Sequence, residues 1–273
     1  DVEFASLLGT SLHPESGTIP LIAIPTTAGT GAECTSSAVV YVDARKHSIE
    51  GTLIRPRVAL VDPTLCHSLP RDQTAATGLD ALCQAVESYW AVGSTEASRH
   101  DALRAVSLAV GSLERAVRSP DEGARHAMSE AAHLAGRAID ATRTTAPHAL
   151  SYHLSERYGL AHGFAVALFV PPVIRRLAHL SELDCLDARG PEFVRDRILE
   201  LAAQFGASSA EELADAVESL MKACDAPTRL AEVGARDTEA HATLVARVHP
   251  QRLANHPQRL AATDLEQVVA AIA

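Results

Sequence analysis

Three short segments carry side chains whose types and spacing suit chemistry. Thr77-Gly78-Leu79-Asp80-Ala81-Leu82-Cys83-Gln84 sets a carboxylate, a thiol and an amide at i, i+3 and i+4, one face of a helix. Asp80 sits among small and apolar residues, where a buried carboxylate needs a cation or strong donors; the plainer alternative is a helix N-cap. His148, His153 and His162 fall within fifteen residues, and neutral imidazole is a common metal ligand. His148 and Tyr152 lie at i and i+4, and His153 is rotated away from them. One carboxylate and two imidazoles, Asp80 with His148 and His162, suit Zn²⁺ or Fe²⁺ with open positions. His126, His133, His241 and His256 read as structural. The third segment, Thr26-Thr27-Ala28-Gly29-Thr30-Gly31-Ala32-Glu33, follows an apolar run, and its glycines and hydroxyls suit a phosphate or nucleotide as well as they suit an ordinary turn.

The elements that must position these residues fall into two regimes. Up to residue 70 the signals are strands and turns: Pro20–Pro25, Ser37–Val42 and Arg57–Pro63. Their continuous apolar runs predict strands buried on both faces, as in an α/β layer. From residue 71 the pattern is helical. A helix starts at Ser94 or Thr95 and is stopped by Ser119-Pro120. Further helices are predicted near 121–139, 145–156, 162–178, 191–205, 209–223, 237–247 and 263–272. The expected organisation is a partial α/β unit over 1–70 followed by an all-α domain over 71–273.

The 273 residues are 47% apolar and carry a net charge of −10. That excludes a disordered chain and argues against a nucleic-acid or anionic-membrane surface. No apolar run reaches the ~18 residues of a membrane span. Five scattered cysteines with no CxxC pair read as reduced thiols in a cytoplasm.

In this order, Pro25–Glu33, Val61-Asp62-Pro63, Ala76–Leu82, His148 to His162-Gly163 and Asn255–Leu260 resemble the iron-containing (group III) alcohol dehydrogenase family. The resemblance covers essentially the whole chain. It implies a partial dinucleotide-binding α/β domain followed by an all-α metal-binding domain, the dehydroquinate synthase-like fold. It implies a divalent metal, Fe²⁺ or Zn²⁺, bound through Asp80, His148 and His162, with Gln84 where the family places a histidine. Cys83 is the weaker alternative there, and loss of the metal a further one. Tyr152 stands where many members carry a proton-relay histidine. Thr26, Thr27, Gly29, Thr30 and Lys46 match positions facing NAD(H) or NADP(H). The family's Gly-Gly-Gly-Ser pyrophosphate loop belongs just ahead of Asp1-Val2, so an N-terminally truncated chain is expected.

Arg143, in Thr142-Arg143-Thr144-Thr145-Ala146-Pro147-His148, replaces the small residues usual before that histidine. With Leu82-Cys83-Gln84-Ala85 it is similar to the phosphonoacetaldehyde-reductase branch of the family. A guanidinium suits bidentate binding of an anionic substrate; an ion pair with Asp140 or Glu130 is the structural alternative. The expected activity is NAD(P)-linked interconversion of an aldehyde and a primary alcohol on a small anionic substrate. A metal-dependent lyase of the related fold, or an inactive remnant, are the alternatives. A homodimer and no nucleic-acid or membrane partner are expected.

Overall fold

The computed structural model describes residues 19–42, 45–248 and 253–273, with the side chains of 40–48 outside the described set. Strands come first. β1 (Ile22–Ala23) pairs in parallel with β4 (Val58–Ala59), Ile22 opposite Val58. β2 (Ser37–Val42) pairs antiparallel with β3 (Arg45–Glu50), Ser37 opposite Glu50 and Val42 opposite Arg45. β2 is the β-branched run; β3, Arg-Lys-His-Ser-Ile-Glu, carries little strand signal of its own and is formed by its partner.

The expectation that the apolar runs are buried on both faces is corrected here. Leu21, Ile22, Ile24, Val58 and Leu60 are about half exposed. Continuous hydrophobicity reports what a strand can bury, not what covers it. Among the described residues the parallel ladder has only two strands.

From Arg71 the described chain is helical. α1 (Arg71–Trp90) starts after Pro70 and is buried at every residue from Gly78 to Trp90. A helix enclosed on all sides is central, and α2 (Glu96–Arg118) and α3 (Glu122–Thr142) pack against it and each other. Ala102, Ala105, Ala109 and Ala116 of α2 and Ala131, Ala135 and Ala138 of α3 are buried, and such small side chains permit close axes. Thr95 caps α2 in a reciprocal capping box with Ser98, and Asp121 caps α3 by accepting from the Ala124 N–H.

α4 (Ala146–Tyr158) ends on Gly159 at φ +65°, a left-handed terminus that favours glycine. The chain turns there into α5 (His162–Ala167). The single helix expected over 162–178 is two: α5 and α6 (Val170–Leu177). Pro171 and Pro172 fill the first turn of α6. Their rings exclude the carbonyls four residues back and they have no N–H to donate, so the chain breaks at Leu168-Phe169. α7 (Pro191–Gln204), α8 (Ala210–Ala223), α9 (Thr238–Ala246) and α10 (Ala262–Ala270) complete the helical layer. No helix among the described residues is long and apolar enough to cross a membrane.

Candidate metal centre

Asp80 stands in the middle of α1, which removes the helix-cap explanation for its carboxylate. Along α1, Asp80, Gln84 and Glu87 follow at i, i+4 and i+7, a polar stripe in an otherwise apolar helix. Glycine brings α5 onto this stripe. A Cβ at Gly163 would lie 1.8 Å from the Ala76 carbonyl and 2.9 Å from the Asp80 nitrogen, so only glycine permits the contact. His162, one residue earlier, is carried to Asp80 by it.

The structure brings the sequence-predicted residues together. Asp80 Oδ1 lies 3.6 Å from His148 Nε2 and 3.9 Å from His162 Nε2, and the three donor atoms lie within 4.8 Å of one another. The imidazoles meet edge to face, with ring centroids 5.3 Å apart. Asp80 Oδ1 and Gln84 Oε1 are buried with no hydrogen-bond partner. Two buried, unpartnered oxygens beside two imidazoles are costly unless a cation satisfies them. Bonds of ~2.0–2.2 Å to such an ion would set tetrahedral donors roughly 3.3–3.6 Å apart, close to the two distances from Asp80. The residues therefore fit a divalent metal. Cys83, buried on the same helix, is not among the donor atoms that gather there.

Glu87, which the sequence reading does not single out, is completely buried. It accepts from the Thr145 N–H at 2.6 Å and the Thr145 hydroxyl at 2.7 Å. It also takes a very short hydrogen bond from His148 Nδ1. Trp90 Nε1 donates to the same Thr145 hydroxyl at 3.1 Å. Held at Nδ1, His148 presents Nε2 to Asp80, the second-layer arrangement that fixes the tautomer of metal-binding histidines. Burial works against charge on His148, but Glu87 and Asp80 outweigh it and raise its pKa to about 9; a metal ion would displace the Nε2 proton and leave Nδ1–H on Glu87. Burial would likewise raise the Asp80 pKa; His148 and His162 outweigh it and hold the carboxyl below its usual range.

Asp80, Gln84, His148 and His162 line a cleft of about 1380 Å³. Tyr152, Arg143, Thr144, Thr27 and Thr30 also line it. Tyr152 stacks on His162 with nearly parallel rings. Thr26 is exposed and does not line the cleft. Gly29 is buried against α1, where a Cβ would lie 2.7 Å from Thr77 Cβ. Lys46 lies on β3 opposite Tyr41, and its side chain is outside the described residues. His153 is not among the lining residues.

Arg143 terminates α3 at φ +67°, a conformation rare for a side-chain-bearing residue. Its guanidinium donates to the Asp140 carbonyl at 2.8 Å. Its carboxylate contacts are longer, 3.6 Å to Glu50 and 3.8 Å to Asp140. The Asp140 carboxylate is already engaged by the Ser36 N–H and hydroxyl, and Glu130 pairs with Arg104 instead. Asn255 clamps the loop, donating to the carbonyls of Thr142, Arg143 and Thr144 and accepting from the Gly93 N–H.

Residues 74–273 match the family model described as "Fe-containing alcohol dehydrogenase family, C-terminal", and residues 2–63 match "Iron-containing alcohol dehydrogenase". The phosphonoacetaldehyde reductase of Streptomyces viridochromogenes is 38% identical over 250 residues, covering 88% of this chain and 63% of that protein. The NAD-dependent methanol dehydrogenase of Bacillus methanolicus is 33% identical over 82% of this chain and 58% of its own length. The chain thus spans less than two thirds of these relatives. The structure of sulfoacetaldehyde reductase from Bifidobacterium kashiwanohense in complex with NAD⁺ superposes with a TM-score of 0.88 at 31% identity, covering all of this chain and 69% of that one. Fold, matched length and similarity agree: the chain belongs to the iron-containing alcohol dehydrogenase family.

Proposed function

We propose that the chain is the metal-binding and substrate-binding part of an NAD(P)-linked oxidoreductase that interconverts an anionic aldehyde and its primary alcohol. The observation that carries this reading is the meeting of Asp80, His148 and His162, with the unpartnered buried oxygens of Asp80 and Gln84, in a cleft that Arg143 also lines. Asp80, His148 and His162 would hold Fe²⁺ or Zn²⁺, with the Gln84 amide oxygen as a weaker fourth donor. The cofactor would take the same cleft: Thr27 and Thr30 line it, and its volume exceeds the ~300–1,000 Å³ typical of a small-molecule site alone. When bound, the metal supplies Lewis-acid polarisation of the carbonyl and the reduced nicotinamide supplies the hydride.

The chain's own residues do the rest. Glu87 and Thr145 hold His148 in one tautomer. Arg143 grips the anionic end of the substrate, since its carboxylate contacts are long and its side chain is part-exposed to the cleft. Tyr152, stacked on His162, would hand its phenol proton to the product oxygen and regain one from solvent, so that aldehyde, reduced cofactor and one proton balance alcohol and oxidised cofactor. A phosphonate or sulfonate aldehyde is the favoured class, supported by the similarity to reductases of both kinds. A reduced, cytoplasmic setting is supported by five cysteines that are all free.

The test compares phosphonoacetaldehyde and sulfoacetaldehyde with neutral acetaldehyde, following NAD(P)H oxidation before and after chelation. Chelation should abolish turnover and added Fe²⁺ or Zn²⁺ restore it. Arg143→Ala should raise KM at least tenfold for the anionic aldehydes and leave the neutral one unchanged. Equal losses on all three substrates would overturn the anion grip, and turnover insensitive to chelation would overturn the metal.

A further inference from the structure

A second group of metal-ligating side chains, one of which lines the same cleft, takes no part in the chemistry above. Gly31, at φ +61°, turns the Thr30-Gly31 loop into a short 3-10 turn, Ala32–Cys34. That turn is pressed onto α3 by a glycine-to-glycine contact. A Cβ on Gly136 would lie 2.6 Å from Gly31 Cα and 2.8 Å from Cys34 Sγ. Glu33 and Cys34, 6% and 7% exposed, are thereby held against His133 of α3.

We propose that Glu33, Cys34 and His133 form a second divalent-metal site, for a zinc-class ion, that staples the cleft loop to α3. The carboxylate, thiol and imidazole donor atoms lie within 4.8 Å of one another. Glu33 Oε1 is 3.0 Å from His133 Nδ1 and 4.0 Å from Cys34 Sγ. Bonds of ~2.0–2.3 Å from a zinc-class ion to O, N and S place such donors roughly 3.3–3.6 Å apart, and the Glu33–His133 and Glu33–Cys34 distances each lie within a few tenths of an ångström of that range. A mixed sulfur, nitrogen and oxygen set selects this class of ion over the hard cations magnesium and calcium. Glu33 lines the cleft, which leaves a fourth position for water. As the ion enters, the thiol proton of Cys34 leaves to solvent, and the hydrogen bonds it makes to the carbonyls of Gly31 and His133 are exchanged for the metal bond. The sequence reading takes His133 as structural; the turn that places a thiol and a carboxylate beside it is visible only in the fold.

Cobalt(II) tests this, because the Asp80 centre offers only oxygen and nitrogen. Chelator-treated protein is titrated with Co²⁺ and read in the near ultraviolet for thiolate-to-cobalt charge transfer. The wild type should develop the band. Cys34→Ser should lose it, and Glu33→Gln or His133→Gln should weaken its half-saturation at least tenfold with the helical circular dichroism unchanged. Cys83→Ser should retain it. No band in the wild type, or a band that survives Cys34→Ser, overturns the proposal. A band lost only in Cys83→Ser also overturns it, and instead places sulfur at the Asp80 centre. Failure here leaves the visible d–d absorption of cobalt at Asp80, His148 and His162 as a separate readout of that centre.

Discussion

Glu87→Gln isolates the part of the metal centre that makes no direct contact with the ion. The substitution conserves size. Glu87 accepts three hydrogen bonds, two from Thr145 and one from His148 Nδ1, and an amide offers one oxygen and one NH₂. If the oxygen stays with Thr145, the NH₂ faces His148 Nδ1. Two donors cannot share that line, so the imidazole proton moves to Nε2, the atom that looks at Asp80 Oδ1 from 3.6 Å. The lone pair needed for a metal is then occupied. If the amide flips, the clash moves to the Thr145 N–H, and the loop before His148 shifts instead. Loss of such a second-layer partner costs about 10–100-fold in metal affinity, or about 1.4–2.7 kcal/mol. The assay is competition for Zn²⁺ against a chelator of known strength, with circular dichroism to certify the fold. Glu87→Gln and His148→Ala should be strongly non-additive, because each removes the same ligand. A Glu87→Gln protein that is folded and binds Zn²⁺ within about twofold of the wild type would refute the reasoning.

Gly163→Ala places a methyl on the Ala76 carbonyl; overpacking of this kind costs about 1–3 kcal/mol and shifts His162 off Asp80. Melting temperature and Zn²⁺ affinity should fall together, and a fall in one alone would separate the packing from the site. His256 is fully buried with neither ring nitrogen hydrogen-bonded, and burial, with Arg176 adding to it, lowers its pKa to about 3. The fold favours the neutral ring, so the stability it contributes is complete above the unfolded value near 6.5. It is lost as pH falls towards 3, by at most about 1.4 kcal/mol per pH unit. Urea unfolding of His256→Leu between pH 7 and pH 4 should show a slope shallower by one proton; an unchanged slope would mean that another group titrates there.

The polar stripe of α1 was legible because Asp80 and Gln84 share a helical face whatever surrounds them. That they meet His148 and His162 was not, since it depends on the turn at Gly159 and on the contact of Gly163 with Ala76; only the family resemblance pointed there. Glu87 passed unnoticed because Ala85-Val86-Glu87-Ser88 reads as an ordinary helical stretch. The group that explains its burial, Thr145, lies 58 residues away. The break before α6 was missed in expecting one helix over 162–178, although adjacent prolines cannot sit inside a continuous helix. The exposed β1 and β4 mark the opposite limit, where hydrophobicity shows a capacity for burial and the covering element decides the outcome.

The backbone contact between Gly31 and Gly136 couples distant parts of the molecule. No side chain cushions it, so α3 bears on the cleft loop as a shaft bears on a collar. Seven residues further along the same shaft is Arg143, pinned through Asn255. One helix thus seats the loop of Thr30 along its length and the loop of Arg143 at its end, so residues that both line the cleft share a single support.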